Sequence, residues 1–132
     1  MFGNFQQSQL RLEVPASAST IRESLLDTHK LSQWLFPNSL SPGLPEKLQS
    51  GITFTSWLTF IPIQHQVGYV NDNCLRLLLS QGIDGYHEWY WGDRWVQARL
   101  EGVSVLPLNL GQNLAMVRLQ QTLEKPAASQ PA

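Results

Sequence analysis

The sequence contains little charge and almost no cysteine. Asp, Glu, Lys and Arg make up 14% of its 132 residues, whereas 42% are hydrophobic; an average domain is about 25% charged. The single cysteine, Cys74, excludes an internal disulfide framework and a cysteine-rich zinc site, and it fits a reducing compartment. The nine Lys and Arg residues are scattered along the chain. No basic stripe is therefore available to follow phosphates, and a nucleic-acid partner is not expected.

Long apolar runs and known signals are also missing. No apolar run approaches the ~20 residues that a membrane-spanning helix needs, and no basic region followed by an apolar segment marks a signal peptide at the N-terminus. The chain has no glycine-rich phosphate loop, no nucleophile elbow and no pair of carboxylates at productive spacing. We therefore expect a cytoplasmic protein without a cofactor or a metal site.

The first part of the chain predicts a strand followed by two short helices. Apolar and polar residues alternate over 8–14, which is the pattern of a half-buried strand, and Pro15 ends it. Thr20 stands three residues before a Glu, the spacing of a capping box, and predicts the start of the first helix. Thr28 can cap a second helix that ends near Trp34.

The middle of the chain alternates with a period of two and predicts antiparallel strands. Residues 71–73 (NDN) have the composition of a turn. A three-residue turn there pairs Val67 with Leu77 and His65 with Leu79. Opposed residues in a sheet share a face, so all four side chains are predicted to point to the same side.

Residues 86–95 (YHEWYWGDRW) contain five aromatic side chains in ten positions. Gly92 and Asp93 lie between two alternating runs and suit a two-residue hairpin turn. The inner face of this predicted hairpin carries His87, Trp89 and Trp91, with Arg94 at its end. The outer face carries Tyr86, Glu88, Tyr90, Trp95, Gln97 and Arg99, a set that is amphipathic.

Residues 110–125 predict a long closing helix whose apolar residues lie on two sides. One side carries Leu110, Leu114 and Val117, and the other carries Met116, Leu119 and Leu123. A helix with two apolar sides is either enclosed within its domain or meets another chain with one of them.

The segments RLEVPASASTIRESLLDTHKLSQWL, LQSGITFTSWL and GVSVLPLNLGQNL occur in this order along the chain. In pattern and order, residues 8–125 resemble the START-like (SRPBCC) superfamily, which includes Bet v 1-like and polyketide cyclase-like proteins. The resemblance implies an α+β helix-grip fold, in which a curved antiparallel sheet and a long C-terminal helix enclose an apolar cavity. We expect a single domain over 1–125 and a disordered tail over 126–132.

Members of this superfamily bind lipids, sterols, polyketides or plant hormones, and some are cyclases, aromatases or co-chaperone domains. The resemblance thus implies a small apolar or amphipathic ligand in the cavity. The residues expected to contact it are Trp34, Phe54, His65, Leu77, Leu79, His87, Trp89, Trp91, Arg94 and Leu114. Plain core packing of the same rings and histidines stays an alternative. So do a cyclase-type enzyme with a pocket histidine and a protein–protein module, including a homodimer through Tyr86, Tyr90, Trp95 or the C-terminal helix.

Overall fold

A computed structural model describes residues 3–35 and 38–124, and the tail expected at 126–132 lies outside the described residues. Strands and helices follow one another in the order that the resemblance implies. They are β1 (Asn4–Glu13), α1 (Ala18–Leu26), α2 (Thr28–Trp34), β2 (Ser39–Leu40), β3 (Thr53–Leu58), β4 (Ile61–Val70), β5 (Cys74–Gln81), β6 (Asp84–Gly92), β7 (Trp95–Ser104) and α3 (Leu108–Leu123).

The strands of the described residues form one curved, unclosed antiparallel sheet of seven strands in the order β1-β7-β6-β5-β4-β3-β2. The first strand of the chain therefore lies beside the last one. α3 packs against β1 and β7 and also contacts both short helices. This arrangement confirms the α+β helix-grip fold. No helix among the described residues is long and apolar enough to cross a membrane.

The N-caps of the two short helices differ from those that the sequence pattern indicated. Ser17, not Thr20, is the N-cap of α1, and its side chain accepts from the Thr20 backbone N–H. Asp27 ends α1 and caps α2 by accepting from two backbone N–H groups of the next turn. The Thr28 hydroxyl is engaged elsewhere, because it donates to the Pro45 carbonyl at 2.7 Å.

The pairing of β4 with β5 is confirmed where it matters for the inner face. Val67 opposes Leu77 and His65 opposes Leu79. The register shifts after Val67, in the manner of a β-bulge, so that Tyr69 opposes Arg76. The Tyr69 side chain is consequently 52% exposed.

The predicted turn of the aromatic hairpin is wrong by one position. Gly92 pairs with Trp95, so Asp93 and Arg94 form the turn, and Arg94 has a φ of 69°. Gly92 belongs in the strand because the Trp95 ring lies against it; a Cβ there would stand 2.5 Å from the indole nitrogen. Each residue of β7 is therefore paired with a β6 residue two positions later than predicted, and two residues are one full period of side-chain alternation in a strand. The two faces of the hairpin are therefore the predicted ones.

The core lies between the sheet and the helices and is built on three buried tryptophans. Trp34 packs edge-on against Trp89, with ring centroids 5.1 Å apart. Its indole N–H donates to the Ser24 carbonyl at 3.0 Å, which satisfies a polar atom that burial would otherwise strand. Trp91 is also fully buried. These rings join the aromatic hairpin to α1 and α2.

Candidate functional site

A cavity of about 320 Å³ lies between the inner face of the sheet and the first half of α3. This volume is at the lower end of the range typical of small-molecule sites. Its apolar lining comes from the sheet, from the segment before α3 and from α3 itself, and includes Leu58, Ile63, Leu79, Ile83, Leu100, Leu106, Leu108, Leu110, Leu114 and Ala115. Its polar lining consists of Asn38, His65, His87 and Gln112, and none of the described lining residues is charged.

His65 projects from β4 and belongs to a chain of buried polar contacts. Its Nε2 lies 2.9 Å from the Ser56 hydroxyl, and that hydroxyl accepts from the Asn38 side-chain amide at 3.2 Å. The ring stacks on Phe54 with centroids 4.6 Å apart and planes 4° from parallel. The other ring nitrogen, Nδ1, is buried and has no hydrogen-bond partner among the described residues.

His87 projects from β6 toward the polar side chain of Gln112 on α3. The Gln112 Nε2 donates to the Ser8 hydroxyl at 3.0 Å and points at the Ala98 carbonyl at 3.4 Å, so the orientation of the amide is fixed. Its Oε1 is left without a partner among the described residues, and so is the His87 Nε2. The His87 ring also packs 4.8 Å from the ring of Trp89.

Burial keeps both histidines neutral. Loss of solvent and, to a smaller extent, the neighbouring His87 together lower the pKa of His65 to about 3. Burial also lowers the pKa of His87 to about 4, and the Gln112 side chain offsets part of that effect. Each imidazole can therefore give and take a hydrogen bond at neutral pH, but neither supplies a positive charge. Among the described residues, no group of three His, Cys, Asp or Glu side chains comes together to hold a metal ion.

The ten residues expected at a ligand site occupy three places. His65, Leu79, His87 and Leu114 line the cavity. Trp34, Phe54, Leu77, Trp89 and Trp91 are buried in the core and are not part of the lining. Arg94 lies in the β6–β7 turn, where its backbone N–H donates to the Ala16 carbonyl at 2.8 Å. The hairpin turn is thus tied to the start of α1 and does not border the cavity.

Three polar residues of the site were missed by the sequence interpretation. Gln112 lies within a helix whose apolar residues do not form one stripe, so nothing in the pattern marks it as buried. Asn38 follows a proline in a loop-like segment, and Ser56 is a small residue between apolar ones in the strand pattern. Ser56 did carry a signal, because a hydroxyl on the buried face of a strand needs a partner.

The outer aromatic face is satisfied within the chain. The Tyr86 hydroxyl donates to Glu101, whose carboxylate also accepts from Arg99 at 2.7 Å. The hydrogen bond from Tyr86 has the larger effect and that from Arg99 the smaller, and together they hold the pKa of Glu101 below its usual range. Tyr90 donates to a neighbouring carboxylate at 3.0 Å, and the Arg11 guanidinium covers the Trp95 ring at 4.4 Å. This face therefore offers few unpaired polar groups to a partner.

No protein-family model matches this sequence, and no curated protein matches it. Solved structures do match. A protein of Chromobacterium violaceum is 16% identical, with a TM-score of 0.74 over 92% of this chain and 99% of the other. The Aha1 dimer from Colwellia psychrerythraea is 14% identical, with a TM-score of 0.62 over 91% and 97%.

DynU16, from the dynemicin biosynthetic locus, is 18% identical, with a TM-score of 0.67 over 90% of this chain. The present chain spans 47% of the length of DynU16. At these identities the likeness concerns the fold alone. The chain therefore shares the helix-grip fold of these proteins.

Proposed function

We propose that this chain is a single domain over residues 1–125 that binds a small apolar or amphipathic molecule in the cavity under α3. The observation that carries the proposal is the lining itself, in which apolar side chains surround four uncharged polar ones. Such a lining provides affinity through burial and orientation through a few hydrogen bonds. The setting we propose is the cytoplasm, in keeping with the single cysteine of the sequence.

The cavity sets the scale of the affinity. A volume of about 320 Å³ equals that of roughly ten water-sized groups at about 30 Å³ each. A ligand of that size is comparable to a Trp side chain, which buries roughly 150–250 Å². At about 25 cal/mol per Å², this burial contributes about 4–6 kcal/mol. The expected dissociation constant therefore lies between about 1 mM and tens of micromolar.

Native mass spectrometry of the protein purified from its own cells, followed by extraction, tests this proposal. Gly111 lines the cavity, and a Cβ built there meets nothing within 4 Å. Because Gly111 is also exposed, Gly111→Phe should crowd the cavity from its solvent side and lower its occupancy, whereas the control Gly111→Ala should retain the bound molecule. Equal occupancy in Gly111→Phe and wild type would mean that the ligand binds elsewhere. Absence of a bound molecule from wild type, together with no binding of small apolar probes at millimolar concentration, would contradict the proposal.

A second candidate is an enzyme of the cyclase or aromatase type that uses a pocket histidine. The contact between Ser56 and His65, with His87 in the same cavity, favours it. The described lining contains no carboxylate to orient either ring, which makes binding without catalysis the better-supported proposal. Replacing His87 with Gln separates the two. A binding protein keeps most of its affinity, whereas a histidine-dependent enzyme loses ~10²-fold or more in rate.

We further propose that two copies of the chain associate through α3. Its apolar side that faces away from the core is well exposed: Leu110 by 57%, Leu114 by 47% and Val117 by 49%. Their spacing puts them on one stripe of the helix. The outer sheet face is the poorer candidate, because Tyr86, Tyr90 and Trp95 already have partners within the chain.

A further inference from the structure

The cavity combines polar atoms with a complete lack of charge among its described lining residues. His65 and His87 are 6% and 7% exposed, and Gln112 is 1% exposed. One side-chain atom of each is buried without a hydrogen-bond partner among the described residues: His65 Nδ1, His87 Nε2 and Gln112 Oε1. Buried polar atoms in native proteins are nearly always paired. His87 already interacts with the Gln112 side chain, which raises its pKa, so His65 Nδ1 is the atom that points most directly to a missing polar partner.

The contacts around Ser56 decide which ring nitrogen of His65 carries the proton. Ser56 is fully buried, and its oxygen accepts from Asn38. Among the residues that the structure describes, the acceptor in contact with this hydroxyl is the His65 Nε2 at 2.9 Å. A neutral imidazole that accepts at Nε2 carries its proton on Nδ1. His65 therefore holds an unused N–H donor.

On the basis of the proposed function, we infer that the ligand of this cavity is an uncharged molecule of about ten non-hydrogen atoms with a hydroxyl or carbonyl oxygen that accepts from His65 Nδ1–H. A hydroxyl fits better than a carbonyl, because its hydrogen can also serve the unpaired acceptors of the cavity. The tautomer of His65 is held by the chain from Asn38 through Ser56. These two residues are positioning residues for the ligand's polar group.

A carboxylate is the ligand class that this cavity excludes. No Lys or Arg side chain belongs to the described lining. An ionised carboxylate buried without a cation loses its hydration and gains no counter-charge, which is far more costly than burying a hydroxyl that finds a hydrogen bond. The two histidines do not replace the missing cation, because burial keeps both of them neutral at pH 7.

Three rigid probes test the inference: naphthalene, 2-naphthol and 2-naphthoate, with uncharged 2-naphthamide as the size-matched control for the carboxylate. Chemical shifts of the leucine methyl groups, followed by NMR at pH 7, report entry into the cavity. We expect 2-naphthol to bind at least ~10-fold more tightly than naphthalene, since it gains a hydrogen bond to a buried donor. We expect 2-naphthoate to bind more weakly than either of them.

Variants and the tautomer itself provide the controls. His65→Phe keeps a ring to stack on Phe54 and should reduce 2-naphthol to the affinity of naphthalene, while naphthalene binding stays unchanged. Nitrogen-15 shifts of the wild-type protein should show the proton of His65 on Nδ1, and Ser56→Ala should change that pattern. These wild-type measurements decide the question even where a variant does not fold.

The outcomes separate this inference from the proposal beneath it. If 2-naphthoate binds as tightly as 2-naphthol, or if naphthalene matches 2-naphthol, the inference is overturned and the apolar binding site stands. A proton on Nε2 of His65 would overturn the role of Ser56. If none of the three probes enters the cavity, both the proposed function and the inference fail.

Discussion

Lowering the pH from 7 to 5 should destabilise the folded chain through its two buried histidines. In the unfolded chain a histidine takes up a proton near pH 6.5. In the folded chain the pKa of His65 is lowered to about 3 and that of His87 to about 4. The unfolded state therefore binds more protons between these values and 6.5. The two histidines therefore cost no stability above pH 6.5, and the free energy of unfolding decreases as the pH falls toward the folded pKa values.

The size of the effect follows from the same values. A pH of 5 is about 1.5 units below the pKa of a histidine in the unfolded chain, whereas each buried histidine is still neutral in the folded chain. Protonation of the unfolded state therefore lowers the free energy of unfolding by about 2 kcal/mol per histidine. The pair thus costs about 4 kcal/mol, a large share of the 5–15 kcal/mol that stabilises a typical domain. Between pH 5 and 6 the stability should change by about 2.7 kcal/mol per pH unit, twice the value for one group.

Urea unfolding between pH 5 and 7 measures this slope. His65→Gln and His87→Gln should each reduce it by about half, because one titrating group is removed. His29→Gln is the matched control for the substitution itself, since His29 is exposed at the start of α2 and does not line the cavity. Glu101 should affect stability at a lower pH than the histidines, since its pKa is held below the usual value of a glutamate. An acid slope that is equal in wild type and both cavity variants would refute the reasoning.

Two further variants test other parts of the structure. Gly85→Ala should destabilise the chain by about 3 kcal/mol, because the added Cβ would collide with the Glu101 carbonyl oxygen of the neighbouring strand. Urea unfolding measures this loss. Gly68→Ala is the control, because the atom nearest to a Cβ at Gly68 is 3.7 Å away. Val117→Glu, on the exposed stripe of α3 but outside the cavity lining, should convert a dimer into a monomer in size-exclusion chromatography with light scattering, whereas Trp95→Glu should leave the dimer intact. A wild-type monomer at about 100 µM, near the weak end of specific association, would contradict the proposed contact through α3.

Side-chain alternation made the faces of the sheet predictable. The inward direction of His65, Leu77, Leu79 and Trp89 followed from period-two patterns, which are insensitive to a register error of two residues. The misplaced turn at Gly92 did not matter for the faces for that reason. Tyr69 shows the limit: a three-residue turn at 71–73 predicts that it pairs with Leu75, but the shift after Val67 puts it opposite Arg76.

The cavity itself was harder to predict, because the alternation pattern shows which side chains point inward but not which helix packs over them. Trp89 and His87 share the inner face, but Trp34 of α2 packs on Trp89, whereas the first half of α3 leaves a gap above His87. That difference depends on how the helices pack, which has no period in the sequence. The burial of Gln112 could not be predicted for the same reason, because its hydrogen-bond partner Ser8 is far from it in the chain.

The pairing of β1 with β7 has a consequence for how the chain folds. Asn4 lies opposite Ser104 and Glu13 opposite Trp95, so this ladder closes a loop that contains most of the chain. Contacts between such distant residues form late, because the entropy of closing the loop must be overcome before they stabilise anything. On the ribosome, β1 must wait until β7 has been synthesised. The contact of Ser8 with Gln112 of α3, which fixes one wall of the cavity, must therefore form among the last steps of folding.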